Sequence, residues 1–343
     1  MVTATATLGG TASNVTVGRV AHGLMTMTWT PNPVPEEQAF EAIKAGVDAL
    51  PPGAKAFLNA GEFYAQDWGT LNLEMLSRFY EKYPDYAEKT FLSVKGGLVA
   101  QERRPDGSLE YLRKSLENIQ KALGPIKKVD LFEPARIDST IPIEELMENL
   151  KILVKEGKFS HIGLTECNAN TLRRANAVHP VAAAEIEVSP WEYGENQKAV
   201  IETARELGIA VLAYSPIGKG FLTGQIKSTA HLPEGDVRLT MTRFRDDEIL
   251  KQNYAIVDAI GAVAKRIGYT PAQLSIAWVA SLGPHVIPLP GSSKSTRTLE
   301  NLEAGDIKLS DADLAETHKI VAGNKTKGDR YYGLSDKEMH LWQ

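Results

Sequence analysis

The chain has 343 residues, with 38 Lys and Arg against 43 Asp and Glu and a formal net charge of −5. Without clustered basic residues it lacks the electrostatic footprint that phosphate-backbone binding requires, so nucleic acid is not an expected partner. Its one cysteine, Cys167, cannot form an internal disulfide, and no Cys/His cluster has zinc spacing, so we expect a reducing, cytoplasmic compartment and no metal.

Short β-rich runs alternate with helical patterns along the whole chain, and no low-complexity linker separates two halves. The predicted strands are eight segments: 21–27, 56–59, 91–95, 129–132, 161–164, 183–187, 210–214 and 286–289. The predicted helices lie between them, at 36–50, 71–83, 108–123, 143–156, 170–178, 196–207 and 271–282. One domain over residues 1–343 is the simplest organisation.

Eight β–α units in one chain favour a (β/α)8 TIM barrel over a doubly wound sheet, which would usually carry a glycine-rich phosphate loop after its first strand. No G-x-G-x-x-G follows segment 21–27. Segment 215–250 and the tail after Leu309 fall outside the repeat. We expect long loops and a C-terminal extension over one mouth. Because barrel active sites form at the carboxyl ends of the strands, functional residues are expected there.

Neither end of the chain indicates a membrane or a secretory route. The first 17 residues are rich in Thr, Ala and Gly, precede the first basic residue, Arg19, and lack the long apolar core of a signal peptide. No apolar run approaches the roughly 20 residues that a membrane helix needs. We therefore expect no membrane partner. The sequence carries no signal for a particular oligomeric state.

Lys95 ends an apolar predicted strand, where a buried ammonium is costly unless it is paired or used. A tyrosine beside it would have its phenolate stabilised, which lowers the tyrosine pKa toward working pH and makes the pair a general acid. The alternative is a structural ion pair between Lys95 and either Glu185 or Glu187.

Segment 59–64 reads NAGEFY and resembles the D-T-A-x-x-Y motif of the aldo-keto reductases, NAD(P)H-dependent enzymes built on a (β/α)8 barrel. The resemblance covers nearly the whole chain and implies that Tyr64 is the general acid and Lys95 its matching lysine. Asn59 stands where the family has an aspartate, and Ala135, followed by Arg136, stands where it has a histidine. These departures and segment 132–138, FEPARID, are most similar to the pyridoxal reductase branch.

The departures alter the expected catalytic set of Tyr64, Lys95, Asn59 and Arg136. Asn59 can hydrogen-bond the ammonium of Lys95 without compensating its charge, so we expect Lys95 to depress the Tyr64 pKa further or to lose its own proton more readily. Arg136 could polarise the substrate carbonyl or bind an anionic substituent, such as the ring phenolate of pyridoxal. The alternative for Arg136 is a salt bridge to Asp138 or Glu133.

The resemblance also implies a set of cofactor contacts. Tyr214 matches the residue that stacks under the nicotinamide, and the loop after it matches the one that covers the pyrophosphate. Lys294 and Arg297 suit a 2′-phosphate, which favours NADPH over NADH. The predicted cofactor-binding residues are Thr26, Thr165, Glu166, Glu185, Tyr214, Ser215, Pro216, Ile217, Lys219, Gly220, Ser292, Ser293, Lys294, Arg297, Glu300 and Asn301.

Trp29, Phe63 and Trp191 follow strand ends and could line a pocket for a flat aromatic substrate, with Arg136 as a further contact. The resemblance thus predicts NADPH-dependent reduction of a small-molecule aldehyde, pyridoxal to pyridoxine, with Tyr64 delivering the proton. Three alternatives stay open: a general aldehyde or ketone reductase of the same family, a cofactor-binding regulatory barrel with little turnover, and an unrelated barrel, such as a hydrolase, that uses Glu185 and Glu187.

Overall fold

The computed structural model describes residues 2–343 and centres on eight parallel strands. An antiparallel hairpin, β1 (Thr5–Thr7) and β2 (Thr16–Gly18), precedes them. The barrel strands in chain order are β3 (His22–Gly23), β4 (Ala56–Gly61), β5 (Thr90–Gly96), β8 (Leu131–Pro134), β9 (His161–Thr165), β10 (Ala183–Glu187), β11 (Ala210–Tyr214) and β12 (Val286–Leu289). Between β5 and β8, a second small hairpin comprises β6 (Leu98–Val99) and β7 (Arg104–Pro105).

Neighbouring barrel strands pair in chain order, and the first strand meets the last. The backbone N–H of Ala21 donates to Pro288 over 2.8 Å, and that of Gly23 donates to Pro290 over 3.0 Å. These bonds nearly close the cylinder and confirm the predicted (β/α)8 barrel. The predicted strand 21–27 was too long, because only His22–Gly23 pairs as a strand and Met25–Thr28 forms a helical turn, α1.

Helices alternate with the strands around the barrel. After α1 they are α2 (Glu36–Asp48), α3 (Leu71–Lys82), α4 (Leu109–Leu123), α5 (Ile143–Lys155), α6 (Ala169–Val178), α7 (Glu195–Leu207), α8 (Thr242–Arg245), α9 (Asp247–Ile267), α10 (Pro271–Ser281), α11 (Ser295–Glu303) and α12 (Asp311–Gly323). The seven predicted helices match within two residues at each end, whereas α1, α8, α9, α11 and α12 were not predicted as helices. Among residues 2–343, no helix is long and apolar enough to span a bilayer.

Local sequence explains several helix ends. Thr270 caps α10 by accepting a hydrogen bond from the Gln273 N–H, with Pro271 in the first turn. Gly208 ends α7 with φ of 67°, a left-handed conformation that glycine adopts without strain. These ends keep the connections short, so that each helix packs back on the barrel.

The interior of the barrel changes character along its axis. Because side chains alternate along a strand, Phe57, Asn59 and Gly61 share the inward face of β4, and Phe91, Ser93 and Lys95 share that of β5. The amino ends are apolar, and the N-terminal hairpin closes them with a cluster that includes Ala6, Leu8, Ala12, Val17, Phe57, Phe91, Leu131, Ala183, Leu212 and Ile287. The carboxyl ends are polar, which places the candidate site at that mouth.

The C-terminal tail, residues 324–343, lies across the carboxyl-end mouth. The N–H of Trp342 donates to the carbonyl of Glu166 over 2.6 Å, and the N–H of Asn168 donates to Gln343 over 3.2 Å. The side chain of Arg136 donates to the carbonyl of Met339 over 3.2 Å. The predicted C-terminal extension over one mouth is therefore present.

Candidate active site

Tyr64 lies three residues after β4 and is held by its surroundings. Its carbonyl accepts a 2.6 Å hydrogen bond from the Thr28 hydroxyl, which in turn accepts one of 2.9 Å from Asn72. A Cβ at Gly61 would meet the Tyr64 ring at 2.8 Å, so the residue at this position must be glycine for the ring to lie where it does. The Tyr64 side chain is thereby fixed over the end of β4.

Lys95, Asn59 and Glu185 form a closed ring of polar contacts inside the barrel. The Lys95 Nζ donates to Asn59 Oδ1 over 2.8 Å and lies 2.5 Å from Glu185 Oε1, while Asn59 Nδ2 donates to Glu185 Oε2 over 2.7 Å. The three residues come from β5, β4 and β10 and are all buried. The ion pair between Lys95 and Glu185 is the structural alternative considered above.

The same lysine reaches Tyr64. Lys95 Nζ lies 5.8 Å from the centroid of the Tyr64 ring. Burial raises the pKa of Tyr64 and Glu185 adds to this rise, so Lys95, which lowers it, does not bring it below its usual value. Burial lowers the pKa of Lys95, but the charge of Glu185 and its neighbours outweighs burial and raises it. The expected net depression of the Tyr64 pKa is not found, because burial outweighs the lowering by Lys95, and the expected loss of the Lys95 proton is not favoured, because Glu185 raises the lysine pKa.

Glu133, on β8, is a second buried glutamate in this part of the barrel. Its Oε2 accepts a 2.7 Å hydrogen bond from Ser93, whereas its Oε1 has no partner among residues 2–343. Burial and the charge of Glu185 raise the pKa of Glu133 well above its ordinary value. Burial and the nearby carboxylate thus favour the neutral form of Glu133.

Aromatic side chains form a wall beside Tyr64. The ring centroids of Trp29 and Tyr64 are 5.8 Å apart, those of Phe63 and Tyr64 are 5.5 Å apart, and Trp68 lies 4.9 Å from Trp29. Trp29 and Phe63 are thus beside Tyr64, as the sequence suggested. Trp191 is not, because it packs at 4.3 Å on Phe221 in a separate buried cluster.

Arg136 follows β8 and contacts the C-terminal tail. Its Nη1 donates to the carbonyl of Ala135 over 2.6 Å, and its guanidinium lies 5.6 Å from the ring of Tyr331. It forms no salt bridge with Asp138 or Glu133, since Asp138 accepts from the N–H groups of Gly107 and Thr140 instead. The salt-bridge alternative for Arg136 is therefore excluded by the geometry.

A second charged cluster, which we call the outer cluster, comprises Glu166, Glu187, Lys219, Tyr214 and Arg330. Arg330, from the tail, is only 4% exposed and donates to Glu187 over 2.9 Å and to both oxygens of Glu166 over 2.8 and 3.1 Å. Lys219 forms an ion pair with Glu187. Two cations thus balance two carboxylates beneath the tail.

The Tyr214 hydroxyl belongs to the outer cluster. It donates to Glu166 over 2.6 Å, accepts from Arg330 over 3.0 Å and lies 2.9 Å from the hydroxyl of Tyr331. Burial raises the pKa of Glu187, but Lys219 and Arg330 outweigh it and lower that pKa to about 2. Glu187 therefore stays ionised at neutral pH. A hydrolase that uses Glu185 and Glu187 as its reacting pair finds no support, because each carboxylate is held by a cation.

Several predicted cofactor residues lie in the loop after β11, where some backbone φ angles are positive. Ser215, Lys219 and Gly220 have φ of 54°, 55° and 91°, so the loop that also contains Pro216 and Ile217 turns sharply after β11. Thr165 is buried and donates to the carbonyls of Pro134 and Ala135. With Glu166 and Glu185 already bonded inside the protein, the predicted contact of these three residues with a carboxamide stays a prediction.

The segment that begins α11 divides into buried and open residues. Ser292 is buried, with its hydroxyl 3.0 Å from His22 and 2.7 Å from Thr298. Glu300 accepts from Thr270 over 2.8 Å, and Asn301 is buried. The other predicted cofactor residues of this region are more accessible to solvent: Ser293, Lys294, Arg297 and, on α1, Thr26.

Four residues at this mouth were missed in the sequence: Glu133, Trp68, Arg330 and Tyr331. A charge within the apolar strand around Glu133 was a usable signal, since an isolated buried carboxylate is rare. Arg330 and Tyr331 lie in an irregular tail, where no periodicity indicates which residue turns inward.

A buried tyrosine beside a protonated lysine, at the carboxyl end of a (β/α)8 barrel and next to an aromatic wall, is the geometry of an enzyme site for acid–base chemistry. The chain matches the Aldo/keto reductase family over residues 19–322. It is 35% identical over 319 residues to "Probable pyridoxal reductase 2" of Schizosaccharomyces pombe, covering 92% of this chain and 95% of that one. The chain belongs to the aldo/keto reductase family, a family of oxidoreductases that act on small-molecule carbonyl compounds.

Two further similarities agree with this assignment. "Aldo-keto reductase str7" of Strobilurus tenacellus is 39% identical over 246 residues, which are 70% of this chain and 71% of that one. The solved structure of the glycerol dehydrogenase AKR11B4 from Gluconobacter oxydans superposes with a TM-score of 0.77 at 21% identity, covering 94% of this chain and 96% of that one. The latter likeness concerns the fold alone.

Proposed function

We propose that the protein reduces an aldehyde to an alcohol with NADPH, and that pyridoxal, converted to pyridoxine, is its substrate. The observation that carries the proposal is the buried pair of Tyr64 and Lys95 at the barrel mouth, with Lys95 Nζ 5.8 Å from the Tyr64 ring centroid. The similarity over most of the chain to a protein named a probable pyridoxal reductase supports the choice of substrate.

The chain supplies the proton for this reaction. When bound, NADPH supplies a hydride to the carbonyl carbon. Tyr64 donates its hydroxyl proton to the oxygen that becomes the alcohol, and the protonated Lys95 stabilises the phenolate that is left. A proton from solvent then restores the phenol. Because its pKa is raised, Tyr64 keeps its proton until negative charge develops on the substrate oxygen.

The walls of the mouth suit a flat, anionic ring. Trp29, Phe63 and Trp68 provide aromatic surface next to the Tyr64 ring. Arg136 adds a cation whose Nε and Nη1 are bound only by backbone carbonyls, so its charge is not neutralised by a direct carboxylate partner. Pyridoxal combines an aromatic ring with a phenolate, and this arrangement matches both features.

The start of α11 fits the phosphate end of NADPH. Lys294 and Arg297 are exposed there and form no ion pair within the described chain, so two cations are available for a 2′-phosphate. Lys294 also occupies the N-cap position of α11, where backbone N–H groups are unpaired. Tyr214, partly exposed at the end of β11, would hold the nicotinamide end.

The proposal is tested with a panel of pyridoxal, benzaldehyde and an aliphatic ketone, each with NADPH or NADH, followed at the absorbance band of the reduced cofactor. We expect pyridoxal with NADPH to give the highest kcat/KM. Arg136→Leu should lower kcat/KM for pyridoxal about tenfold or more, since a charged hydrogen bond contributes about 1.5–3 kcal/mol, and should change that for benzaldehyde much less.

Arg173→Leu is the matched control, because Arg173 is exposed on α6 and pairs only with Glu206. It should leave all rates unchanged. Equal losses of benzaldehyde and pyridoxal turnover in Arg136→Leu would remove Arg136 from substrate binding. Absence of turnover with every carbonyl compound would overturn the proposed activity itself.

A further inference from the structure

Lys95 carries a buried positive charge that needs a compensating negative charge close by. The side chain is 9% exposed, and an isolated ammonium in such a place would be neutralised or would destabilise the fold. Three polar side chains of the barrel interior are near enough to matter: Asn59, Glu133 and Glu185. Each could stabilise the ammonium in a different way.

Of these three, Glu185 is the one whose carboxyl group forms an ion pair with Lys95. Asn59 is neutral, and it offers Lys95 only a carbonyl oxygen at 2.8 Å. The pKa of Glu133 is raised well above its ordinary value, because the group is fully buried beside another carboxylate, and no ion pair joins it to Lys95. Glu185 has one oxygen 2.5 Å from Lys95 Nζ and is itself 2% exposed in its side chain. It reaches the lysine across the barrel, since β8 and β9 lie between β5 and β10.

The side-chain amide of Asn59 links Lys95 to Glu185. Its oxygen accepts from Lys95 and its nitrogen donates to Glu185 over 2.7 Å, so the amide bridges the two charges. An aspartate at position 59 would place a second carboxylate at hydrogen-bond distance from the Glu185 carboxylate, where no donor remains between them. The residues at positions 59 and 185 therefore depend on each other.

We propose that Glu185 is a positioning residue that supplies the counter-charge of Lys95. Asn59 and Glu185 act together, with the carboxylate at position 185 on β10 and the amide at position 59 on β4. The proposal rests on the assigned roles of Tyr64 and Lys95. Glu185 keeps Lys95 protonated and holds its Nζ near Tyr64, and it does so without touching the substrate.

The test compares four proteins: wild type, Glu185→Gln, Asn59→Asp, and the double variant Asn59→Asp/Glu185→Gln. The double variant returns the carboxylate to β4 and keeps one carboxylate and one amide around Lys95. Thermal unfolding without any ligand, the NADPH dissociation constant by fluorescence, and the pH profile of kcat are measured for each. Glu303→Gln, at an exposed glutamate, is the matched control.

We expect each single variant to unfold at a lower temperature than wild type and the double variant to recover most of the loss. In Glu185→Gln, Lys95 loses the charge that raises its pKa, so kcat should fall about tenfold or more and the basic limb of its pH profile should move to lower pH. In the double variant, the basic limb of the kcat profile should return toward its wild-type pH. If Glu185→Gln does not fold and the double variant does, the interdependence is demonstrated directly.

Three outcomes overturn the proposal. Independent, additive effects of the two substitutions would show that positions 59 and 185 are not one unit. Weaker NADPH binding in Glu185→Gln, with unfolding and the pH limb unchanged, would assign Glu185 to the cofactor. An unfolding temperature of the double variant no higher than that of Glu185→Gln would also show that the carboxylate and the amide cannot be exchanged between positions 59 and 185. Loss of the proposed reductase activity would leave the unfolding measurements interpretable, because they need neither substrate nor cofactor.

Discussion

The two charged clusters at the barrel mouth are built in different ways. The inner one, Lys95 with Asn59, Glu133 and Glu185, uses only residues of barrel strands, whose positions are fixed by backbone pairing. The outer cluster is completed by Arg330, which arrives from a tail without regular structure. The inner cluster is thus part of the barrel, whereas the outer cluster is complete only when the tail is docked.

The clusters also differ in how they handle buried carboxylates. The inner cluster has one cation for two glutamates, and burial beside Glu185 raises the pKa of Glu133 well above its ordinary value. In the outer cluster, Arg330 lowers the pKa of Glu166, and Lys219 and Arg330 together lower that of Glu187. One region therefore tolerates a protonated acid, and the other depends on a tail residue for its charge balance.

Removal of Arg330 should have the largest effect on stability. Arg330→Met leaves the buried Glu166 without its ion-pair partner and Glu187 with Lys219 alone, and removal of one partner of a buried ion pair costs about 3–5 kcal/mol. The free energy of unfolding, measured in urea, should fall by about that amount, and the tail should become sensitive to protease.

Arg266→Met is the control for this change. Arg266 also bonds two carboxylates, Asp313 and Glu316, but its side chain is 52% exposed, so its loss should cost no more than about 1 kcal/mol. Equal effects of the two substitutions would mean that the tail does not hold Arg330 inside the mouth.

A change of pH should alter the contributions of the two clusters to the free energy of unfolding in opposite directions. The lowered pKa of Glu187, about 2, gives a contribution to stability that is present above the ordinary carboxyl pKa and is lost as pH falls toward 2. The raised pKa of Glu133 gives a contribution that is present below the ordinary carboxyl pKa and is lost as pH rises above it.

Urea unfolding of two variants between pH 3 and pH 8 separates these contributions. Glu133→Gln should match wild type at pH 4 and become the more stable protein as pH rises. Glu187→Gln should be least stable relative to wild type at pH 8, with a gap that narrows as pH falls. The same pH trend for both variants would contradict the charge states assigned to the clusters.

The barrel could be predicted from the sequence because its strands are short apolar runs between amphipathic helices. The predicted bounds of β10, β11 and β12 match the structure. The first strand was overextended, since Leu24 and Met27 are apolar and buried but lie in a helical turn, where apolar character does not distinguish strand from helix. Helix α9 was not predicted, because it begins within a segment interpreted as a loop.

The candidate site was predictable where one short motif carries it. Segment 59–64 gave Tyr64, and a charged end to an apolar strand gave Lys95. Glu185 was named from the sequence as one of two possible ion-pair partners of Lys95, but the choice between Glu185 and Glu187 needed the closed barrel. Arg330 could not be predicted, since it follows β10 by well over a hundred residues and lies in a segment without periodicity.

The central claim is that Tyr64 donates the proton in a reduction at this mouth. Single-turnover reduction of pyridoxal by protein loaded with NADPH, compared between wild type and Tyr64→Phe, tests it most directly. Tyr269→Phe, at an exposed tyrosine, is the control. Tyr64→Phe should react about 10²–10⁴-fold more slowly with an unchanged NADPH dissociation constant, because only the transferred proton is missing. Turnover by Tyr64→Phe at the wild-type rate would contradict the account.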